Sequence, residues 1–483
     1  MIVILCTIFF LNCTYAVYNI NPENIAISGS SSIAYDDFRS TNPASFANHK
    51  GLTLKLIGFN LGFNNNFLSI SKYNDINGAN FEDNTDPNFY PKSELYELFD
   101  NGINLNVHLA FNLPFSDIIF NNISFHNRAY FINDLSLPQS FVKLLLYGNE
   151  PNETYSLNSS SNINAFTESA LGYSKKIKNL SYGFKIKYLQ GLAFGELVNL
   201  TDNSSFFVTD TTTGFMGEAK YIVNQAVGGS GFALDLGVIY NYSNKLKLGL
   251  SINNLFGQIK WDNNNLTYNF IRNNILSELP LRYNEKQYIS IKLDTLNAMN
   301  IIDLPLNQIY TVDNFSVIEF KSLNDIPFNI DSLIISDALI ETDEGSFFIK
   351  SQNLSDYELQ SLNLKSEIYK TEYPSNLNFT LNSKLEDKIN LLLSLQTSFS
   401  NQLRNKELWK FSAGILFNRL KNQPITLGFA FEERGKIYAG FSYGYKFGPF
   451  SFNYGLSFDD AVFFQSTKGL DFSFSIIFKT SKF

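Results

Sequence analysis

One short motif in the sequence has the residue types of a catalytic serine. Residues 440–444 read Gly-Phe-Ser-Tyr-Gly, which satisfies the Gly-x-Ser-x-Gly pattern of an α/β-hydrolase nucleophile. In those enzymes the serine lies on a sharp turn between a strand and a helix, and the histidine follows it in the chain. Here the motif lies within an alternating strand pattern, and all three histidines precede it. We therefore predict no enzymatic activity and interpret the small residues of the motif as inward-facing.

Two acidic stretches carry oxygen ligands of the kind that bind Ca²⁺. They cover residues 82–86 and 341–345, and the spacing of neither matches an EF-hand loop. We interpret both as solvated loop charges and predict neither a metal nor another cofactor. The chain has 45 Asp and Glu against 37 Lys and Arg, a net charge of −8, which does not favour a nucleic-acid partner.

Charged side chains recur on the polar faces of alternating segments. The candidates that would face the lumen of a barrel are His108, His126, Arg128, Glu168, Lys185, Lys187, Asp235 and Lys247. One interpretation is that they pair and stabilise a narrow or plugged interior. The other is that they form a polar track for a substrate, since charges facing a pore tune its selectivity. Both interpretations depend on the elements that would hold these residues.

Alternation of apolar and polar residues fills most of the chain. Residues 103–112 place Ile, Leu, Val, Leu and Phe on one face and mainly polar residues on the other. Residues 232–242 and 246–253 alternate in the same way on either side of a short Ser-Asn-Lys turn, which predicts a β-hairpin. Seven further segments between residues 377 and 478 form a predicted antiparallel meander whose second face is small or polar.

A soluble sandwich and a membrane barrel both produce this alternation, but they bury opposite faces. The runs here are about 9 to 12 residues long, which fits a tilted transmembrane strand better than a sandwich strand of about 5–6 residues. Tyr and Phe at the strand ends fit aromatic girdles. We predict an all-β fold, a transmembrane antiparallel β-barrel of about 14 to 18 strands with the apolar face outward.

The first 16 residues resemble a secretory signal peptide, with an apolar run followed by small residues at Thr14 and Ala16. Both cysteines, Cys6 and Cys13, lie in this segment. No later stretch approaches the length of a helical membrane span. We therefore predict export and location in the bacterial outer membrane. At the other terminus the alternation is complete up to Phe478, which predicts a last strand ending there and a tail at 479–483.

An acidic insert interrupts the predicted barrel. Residues 296–372 contain 13 acidic and four basic residues, a net charge of −9, and separate barrel strands in 51–295 from those in 373–478. Residues 315–320 and 346–350 read as short strands, so we predict a small folded module. Other long connections are predicted at 75–101, 133–163 and 257–283, the second with a helix across 137–147. Counting strands places the insert at the end of the barrel opposite these three.

Residues 29–44, Gly-Ser-Ser-Ser-Ile-Ala-Tyr-Asp-Asp-Phe-Arg-Ser-Thr-Asn-Pro-Ala, resemble the opening of FadL-type outer-membrane transporters and of their relatives in type IX secretion. In those families a small-residue stretch, an acidic pair and an Asn-Pro-Ala lead from a plug into the first strand. The resemblance implies that residues 17–50 form a plug-like segment whose motif residues are Asp36, Asp37, Asn42, Pro43 and Ala44.

Residues 183–191 and 231–240 resemble a related family of uncharacterised outer-membrane barrels that carries a domain of unknown function. That second resemblance covers most of the predicted mature chain and implies no chemistry.

Three functions remain open at this point. The FadL resemblance implies passive transport of a hydrophobic or small substrate across the outer membrane. The secretion-associated relatives imply instead a docking platform with a protein partner at the acidic insert. The third alternative is a purely structural barrel. The expected partners are outer-membrane lipid, a hydrophobic ligand and, under the second alternative, that protein.

Overall fold

The structure is a computed structural model, and it describes residues 21–28, 32–148, 150–199, 205–210, 214–262, 267, 269, 285–293, 338–342, 345–353, 370–398, 409–420, 422–432 and 435–480. The predicted signal peptide and the predicted strand at 315–320 lie outside the described residues. Among the helices that are described, none has the length and apolar character needed to cross a membrane.

The helices are short and lie outside the strand order. They are α1 (Pro22–Ile25), a 3₁₀ helix (Pro43–Asn48), α2 (Ile70–Ile76), α3 (Lys92–Glu97), α4 (Gln139–Tyr147) and a second 3₁₀ helix (Phe464–Ser466). The helix predicted across 137–147 is confirmed as α4.

The strands, in chain order, are β1 (Leu52–Asn65), β2 (Ile103–Asn112), β3 (Asp117–Phe120), β4 (Ile123–Leu137), β5 (Thr154–Ser156), β6 (Ser160–Ile177), β7 (Leu180–Asn199), β8 (Phe206–Asp210), β9 (Gly214–Asn241), β10 (Leu246–Lys260), β11 (Glu285–Leu293), β12 (Ala338–Thr342), β13 (Gly345–Asn353), β14 (Lys370–Glu372), β15 (Asn376–Glu386), β16 (Ile389–Ser398), β17 (Trp409–Phe417), β18 (Ile425–Glu432), β19 (Ile437–Phe447), β20 (Phe450–Asp459) and β21 (Gly469–Lys479).

The strands close into one antiparallel barrel of 14 wall positions. Closure is made by β1 and β21, whose pairing runs from Thr53 opposite Lys479 to Asn64 opposite Gly469. β2 and β3 share one position because both pair with β1 and β4, and β14 and β15 share another beside β10. The predicted barrel class and strand range are confirmed.

The wall turns its apolar face outward. On β18, the outward Leu427 and Phe429 are each 51% exposed, whereas the inward Thr426 of the same strand is 1% exposed. The same split separates outward Leu236, 40% exposed, from inward Asp235, 2% exposed. A soluble sandwich would bury the aromatic face instead, so the burial pattern decides for the membrane-type barrel.

Six short turns lie at one end of the barrel, which we call the short-turn end. They connect consecutive wall strands at 121–122, 178–179, 242–245, 387–388, 418–424 and 448–449. The longest connections, 66–102, 138–159 and 261–369, join wall strands at the other, long-loop end. In bacterial outer-membrane barrels short turns face the periplasm and longer loops face outward.

The predicted position of the acidic insert is therefore wrong. The insert follows β10 and leaves from the same end as the other long connections. The strand count misled because β8 and β11 pair beyond the wall without crossing it. β11 pairs with the part of β9 that projects past the wall, and the insert's β13 and β12 add to β11 in turn.

The predicted local pairings agree with the structure. The hairpin of 232–242 and 246–253 is confirmed by the pairing of Tyr240 with Leu248. The C-terminal meander corresponds to β15 through β21, each paired with the next. The last strand continues one residue past the predicted end, because Lys479 pairs with Thr53.

Candidate functional site in the barrel lumen

The N-terminal segment, residues 21–28 and 32–49, lies inside the wall at the short-turn half of the barrel. Asn42 begins the first 3₁₀ helix, where its Oδ1 accepts the Ala44 N–H at 2.9 Å and Pro43 occupies the first turn. The Asn42 amide also donates to the Val238 and Leu250 carbonyls of the wall, at 3.3 and 3.2 Å. The Asn-Pro-Ala motif thus folds a local cap and attaches it to β9 and β10.

Glycines in the wall make room for this segment. A Cβ on Gly183 of β7 would lie 2.5 Å from the Pro43 carbonyl oxygen, so the two backbones touch there. On the other side of the barrel, helix α1 packs against β19, β20 and β21, and a Cβ on Gly455 would lie 2.5 Å from the Pro22 carbonyl oxygen. The segment therefore spans the lumen between two opposed parts of the wall.

Ion pairs tie the segment to itself and to the wall. Asp37 pairs with Arg39 at 2.7 Å, and Asp36 pairs with Lys479 of β21 at 3.0 Å. Burial alone would raise the pKa of Asp37, but the Arg39 guanidinium holds that pKa well below its usual range. Glu23, 3.6 Å from the same guanidinium, has a raised pKa because burial outweighs the attraction. Arg39 thus binds Asp37 as a fixed ion pair.

His49 links the end of the segment to β1. Its Nδ1 lies 4.0 Å from the Asp36 carboxylate and its Nε2 lies 3.2 Å from the Thr53 hydroxyl. Burial lowers the pKa of His49, and Lys479 lowers it further. The neutral imidazole is therefore the form that the folded segment favours.

Farther from the short turns lies a layer of paired charges, which we call the charge layer. Glu168 accepts hydrogen bonds from two sides, with His126 Nε2 and the Tyr373 hydroxyl each at 2.7 Å. Lys187 lies 3.3 Å from Glu168 and 3.0 Å from Asp235, and both carboxylates are buried. The two carboxylates thus share the one positive charge of Lys187, and hydrogen bonds satisfy the rest of the layer.

Asn254 completes the charge layer from β10. Its side-chain oxygen accepts from Lys187 at 2.6 Å, and its backbone N–H donates to Asp235 at 2.8 Å. Asn254 has a positive φ of 59° and lies at a register shift between β9 and β10. This bulge turns a backbone donor inward, where it satisfies the Asp235 carboxylate.

A second charged group lies near β3. Arg128 Nη2 is 3.0 Å from Asp117, and the fully buried Lys55 lies 3.9 Å from the same carboxylate. Lys55 also donates a hydrogen bond to Asn21 of the segment. This group therefore connects the wall to the start of the N-terminal segment.

Of the other three lumen candidates, Lys185 borders the charge layer, opposite Asp235 in the pairing of β7 with β9, and the other two lie farther away. His108 pairs with Asp471 of β21 at 2.9 Å, toward the long-loop end. Lys185 lies over the Phe46 ring of the segment, 5.0 Å from its centroid. Lys247 is half-buried near the turn after β9. Direct ion pairs and hydrogen bonds thus join four of the eight candidates, His126, Glu168, Lys187 and Asp235, and a role for any of them in conduction stays a prediction.

Above the charge layer the lumen becomes apolar. We call the inward rings there the aromatic layer, and its members are Tyr130, Phe166, Phe194, Trp261 and Tyr373. Tyr130 stacks on Phe166 with centroids 5.1 Å apart, and Phe194 lies 5.7 Å from Trp261. The inward residues of β7 show the order of the layers along the barrel axis. Gly183 lies beside the N-terminal segment, Lys187 lies in the charge layer, and Leu189 and Gly191 lie beside the aromatic layer, where Gly191 contacts Trp261.

Sequence reasoning missed the aromatic layer and several partners of the charges. Tyr130 could have been found, because it continues the inward parity of His126 and Arg128 on β4. Asp117 and Tyr373 carried no comparable signal, since one begins a four-residue strand and the other follows a three-residue strand.

The Gly-x-Ser-x-Gly motif lies inside β19. Ser442 is buried toward the lumen, and Gly440 lies against the backbone of Ala26. The acidic side chains of residues 82–86 have partners within the loop and beside it. Asp83 accepts the Thr85 N–H, and Glu82 pairs with Lys92. In the part of the chain that the structure describes, no group of three or more His, Cys, Asp or Glu side chains could hold a metal ion.

Comparison with known proteins finds one matching family model and several similar solved structures. A family model described as "Family of unknown function (DUF5723)" matches residues 43–457. No curated protein sequence matches the chain.

Among solved structures, the P. putida toluene transporter TodX is 9% identical, with 96% of this chain and 99% of that chain covered and a TM-score of 0.47. A Pseudomonas aeruginosa FadL homologue is 11% identical, with 96% and 99% covered and a TM-score of 0.45. The Ralstonia pickettii toluene transporter TbuX is 10% identical, with 96% and 100% covered and a TM-score of 0.44. At these identities and scores the matches carry no information on what this chain does.

Proposed function

The chain belongs to the DUF5723 family, a family of unknown function, and we propose that it is an outer-membrane barrel for passive passage of a small apolar compound. In this proposal the N-terminal segment is the plug that closes the resting lumen. The observation that carries the proposal is the aromatic layer, because an inward cluster of rings is unusual in a barrel whose interior is otherwise polar.

The orientation follows from the two ends of the barrel. An outward apolar face suits lipid, and short turns at one end suit the periplasmic side. The N-terminal segment enters β1 at that same end, so the plug would lie toward the periplasm. The aromatic layer would then be the first apolar surface that a compound from outside meets inside the wall.

The aromatic layer and the charge layer differ in what they can bind. Aromatic rings offer an apolar compound buried surface and stacking partners. The charge layer below offers it polar and ionised groups that are already paired, and separating the ion pairs to admit an apolar compound would cost several kcal/mol. We therefore propose that the compound binds at the aromatic layer and passes only when the plug and the charge layer rearrange.

Binding can be tested with a fluorescent apolar probe, N-phenyl-1-naphthylamine, added to the purified protein in detergent micelles with empty micelles as the blank. The double variant Phe166→Ala, Phe194→Ala should weaken saturable probe binding about tenfold, since loss of each ring removes apolar surface that the probe would bury. Leu416→Ala is the matched control, because Leu416 is equally buried but lies near the short turns. Equal binding by both variants would contradict the proposal.

Passage can be tested in liposomes that carry a quencher of the probe inside. The predicted mature chain has no cysteine after residue 16, so Asp36→Cys with Lys479→Cys can be joined by a bifunctional thiol reagent without side reactions. Joining the plug to β21 should slow probe entry, and reducing the link should restore it. Entry that is unchanged by the link would leave the docking platform or the structural barrel as the better reading.

A further inference from the structure

Six lysines cluster on three turns at the short-turn end. Lys175, Lys176 and Lys178 lie at the turn between β6 and β7, Lys245 lies between β9 and β10, and Lys384 and Lys388 flank the turn between β15 and β16. All six side chains are exposed. We call this group the basic arc.

The arc is continuous in space because the six strands that carry it are consecutive in the wall. β6 pairs with β7, β7 with β9, β9 with β10, β10 with β15 and β15 with β16. The acidic residues on these turns are Glu386 and Asp387, and Glu386 is already paired with Arg419 at 2.6 Å. The arc therefore keeps a strong excess of positive charge.

Apolar side chains that point away from the barrel alternate with these lysines. Ile177, between two of the lysines, is 51% exposed, and Leu385, next to Lys384, is 55% exposed. Tyr242, three residues before Lys245, is 67% exposed. Residues of this kind mark the border between the hydrocarbon core and the headgroups, so the ammonium groups lie at headgroup height.

We propose that the basic arc binds the anionic phospholipid headgroups of the leaflet that borders the short-turn end. Lysines at this depth extend along their apolar stems and place the charge among phosphates. The six lysines lie at one end of the barrel, so the attraction would be confined to the leaflet that borders that end. The inference requires only that the barrel lies in a bilayer and is independent of what passes through it.

Lipid selectivity tests the proposal. The intact protein is reconstituted in phosphatidylcholine vesicles with spin-labelled phosphatidylglycerol or spin-labelled phosphatidylcholine, and the motionally restricted fraction is measured by electron paramagnetic resonance. Preference for phosphatidylglycerol should reach about fivefold, the effect of one lysine near the lipid surface. It should fall toward one in 1 M salt, where charges are screened.

Two sets of substitutions locate the effect. Replacing all six lysines of the basic arc with Gln should abolish the preference. A control set at the long-loop end, Lys72→Gln, Lys92→Gln, Lys436→Gln and Lys468→Gln, should retain it. Absence of any preference in the unaltered protein at low salt would overturn the proposal whether or not the variants fold. Equal loss in both sets, or a preference that survives the first set, would overturn it too.

Discussion

Lys187 is the residue whose removal should damage the barrel interior most. It lies 3.0 Å from Asp235 and 3.3 Å from Glu168, and its side chain is 6% exposed. Lys187→Met retains the length of the side chain but removes the cation, which leaves two buried carboxylates without it. Breaking a buried ion pair from one side costs about 3–5 kcal/mol.

The partners that remain set the magnitude within that range. Glu168 keeps its hydrogen bonds with His126 and Tyr373, and Asp235 keeps the Asn254 N–H. We therefore expect the lower end, about 3 kcal/mol in the free energy of unfolding. Neutralising the carboxylates as well, with Glu168→Gln and Asp235→Asn, should recover the stability to within about 1 kcal/mol, because no unpaired charge is then buried.

Urea unfolding in lipid vesicles, followed by tryptophan fluorescence, measures these differences. Trp261 reports on the region, since its Nε1–H donates to Thr371 at 3.1 Å beside the aromatic layer. Lys468→Met is the matched control, because its pair with Asp460 at 3.8 Å is partly exposed and worth at most about 1 kcal/mol. If Lys187→Met cost no more than Lys468→Met, or if the triple variant were less stable than the single one, the reasoning would be refuted.

Three further experiments test the N-terminal segment, the wall and the pH dependence of stability. Gly183→Val should displace the segment at Pro43 and make it susceptible to added protease at a cost of about 1–3 kcal/mol, whereas Gly195→Val on the same strand, with open space around it, should do neither. Leu236→Arg, on the lipid-facing side, should cost about 2–4 kcal/mol in vesicle unfolding, and the neighbouring Asp235→Arg should cost at least as much because it opposes the buried Lys187; a harmless Asp235→Arg would contradict the charge layer. Because the folded pKa of His49 is lowered below its unfolded value of about 6.5, the unfolded chain binds the proton first, so stability should fall as the pH drops below about 6.5. His49→Gln should flatten that part of the pH profile of the unfolding midpoint, and an unchanged slope would show that other groups cause it.

The wall could be predicted from the sequence to a large extent. Alternation has a period of two in a strand, so each residue's face follows from its neighbours whatever the partner strand is. This is why β2 agrees with the predicted segment 103–112 and why the hairpin of β9 and β10 has the predicted pairing. The length of the runs then distinguished a lipid-facing barrel from a sandwich.

Parity along a strand could not show where a strand stops being wall. β9 runs from Gly214 to Asn241, well beyond the barrel, and carries β8 and β11 on its projecting part. Each added strand looked like a crossing in the sequence, and the error placed the acidic insert at the wrong end. A pairing partner outside the wall is a property of the folded sheet, and a local pattern cannot contain it.

The lumen residues show the same difference between what the sequence predicts and what only the folded barrel decides. The sequence by itself determined that His126, Glu168, Lys187 and Asp235 face inward, because each lies on the polar face of its strand. Only the tertiary structure decided that these four meet, that Tyr373 and Asn254 complete the layer, and that the aromatic rings lie above it. Four strands and two bulged or irregular stretches supply those groups, and their heights depend on the stagger between strands. Stagger is set by closure of the whole barrel, from β1 to β21, and no single segment encodes it.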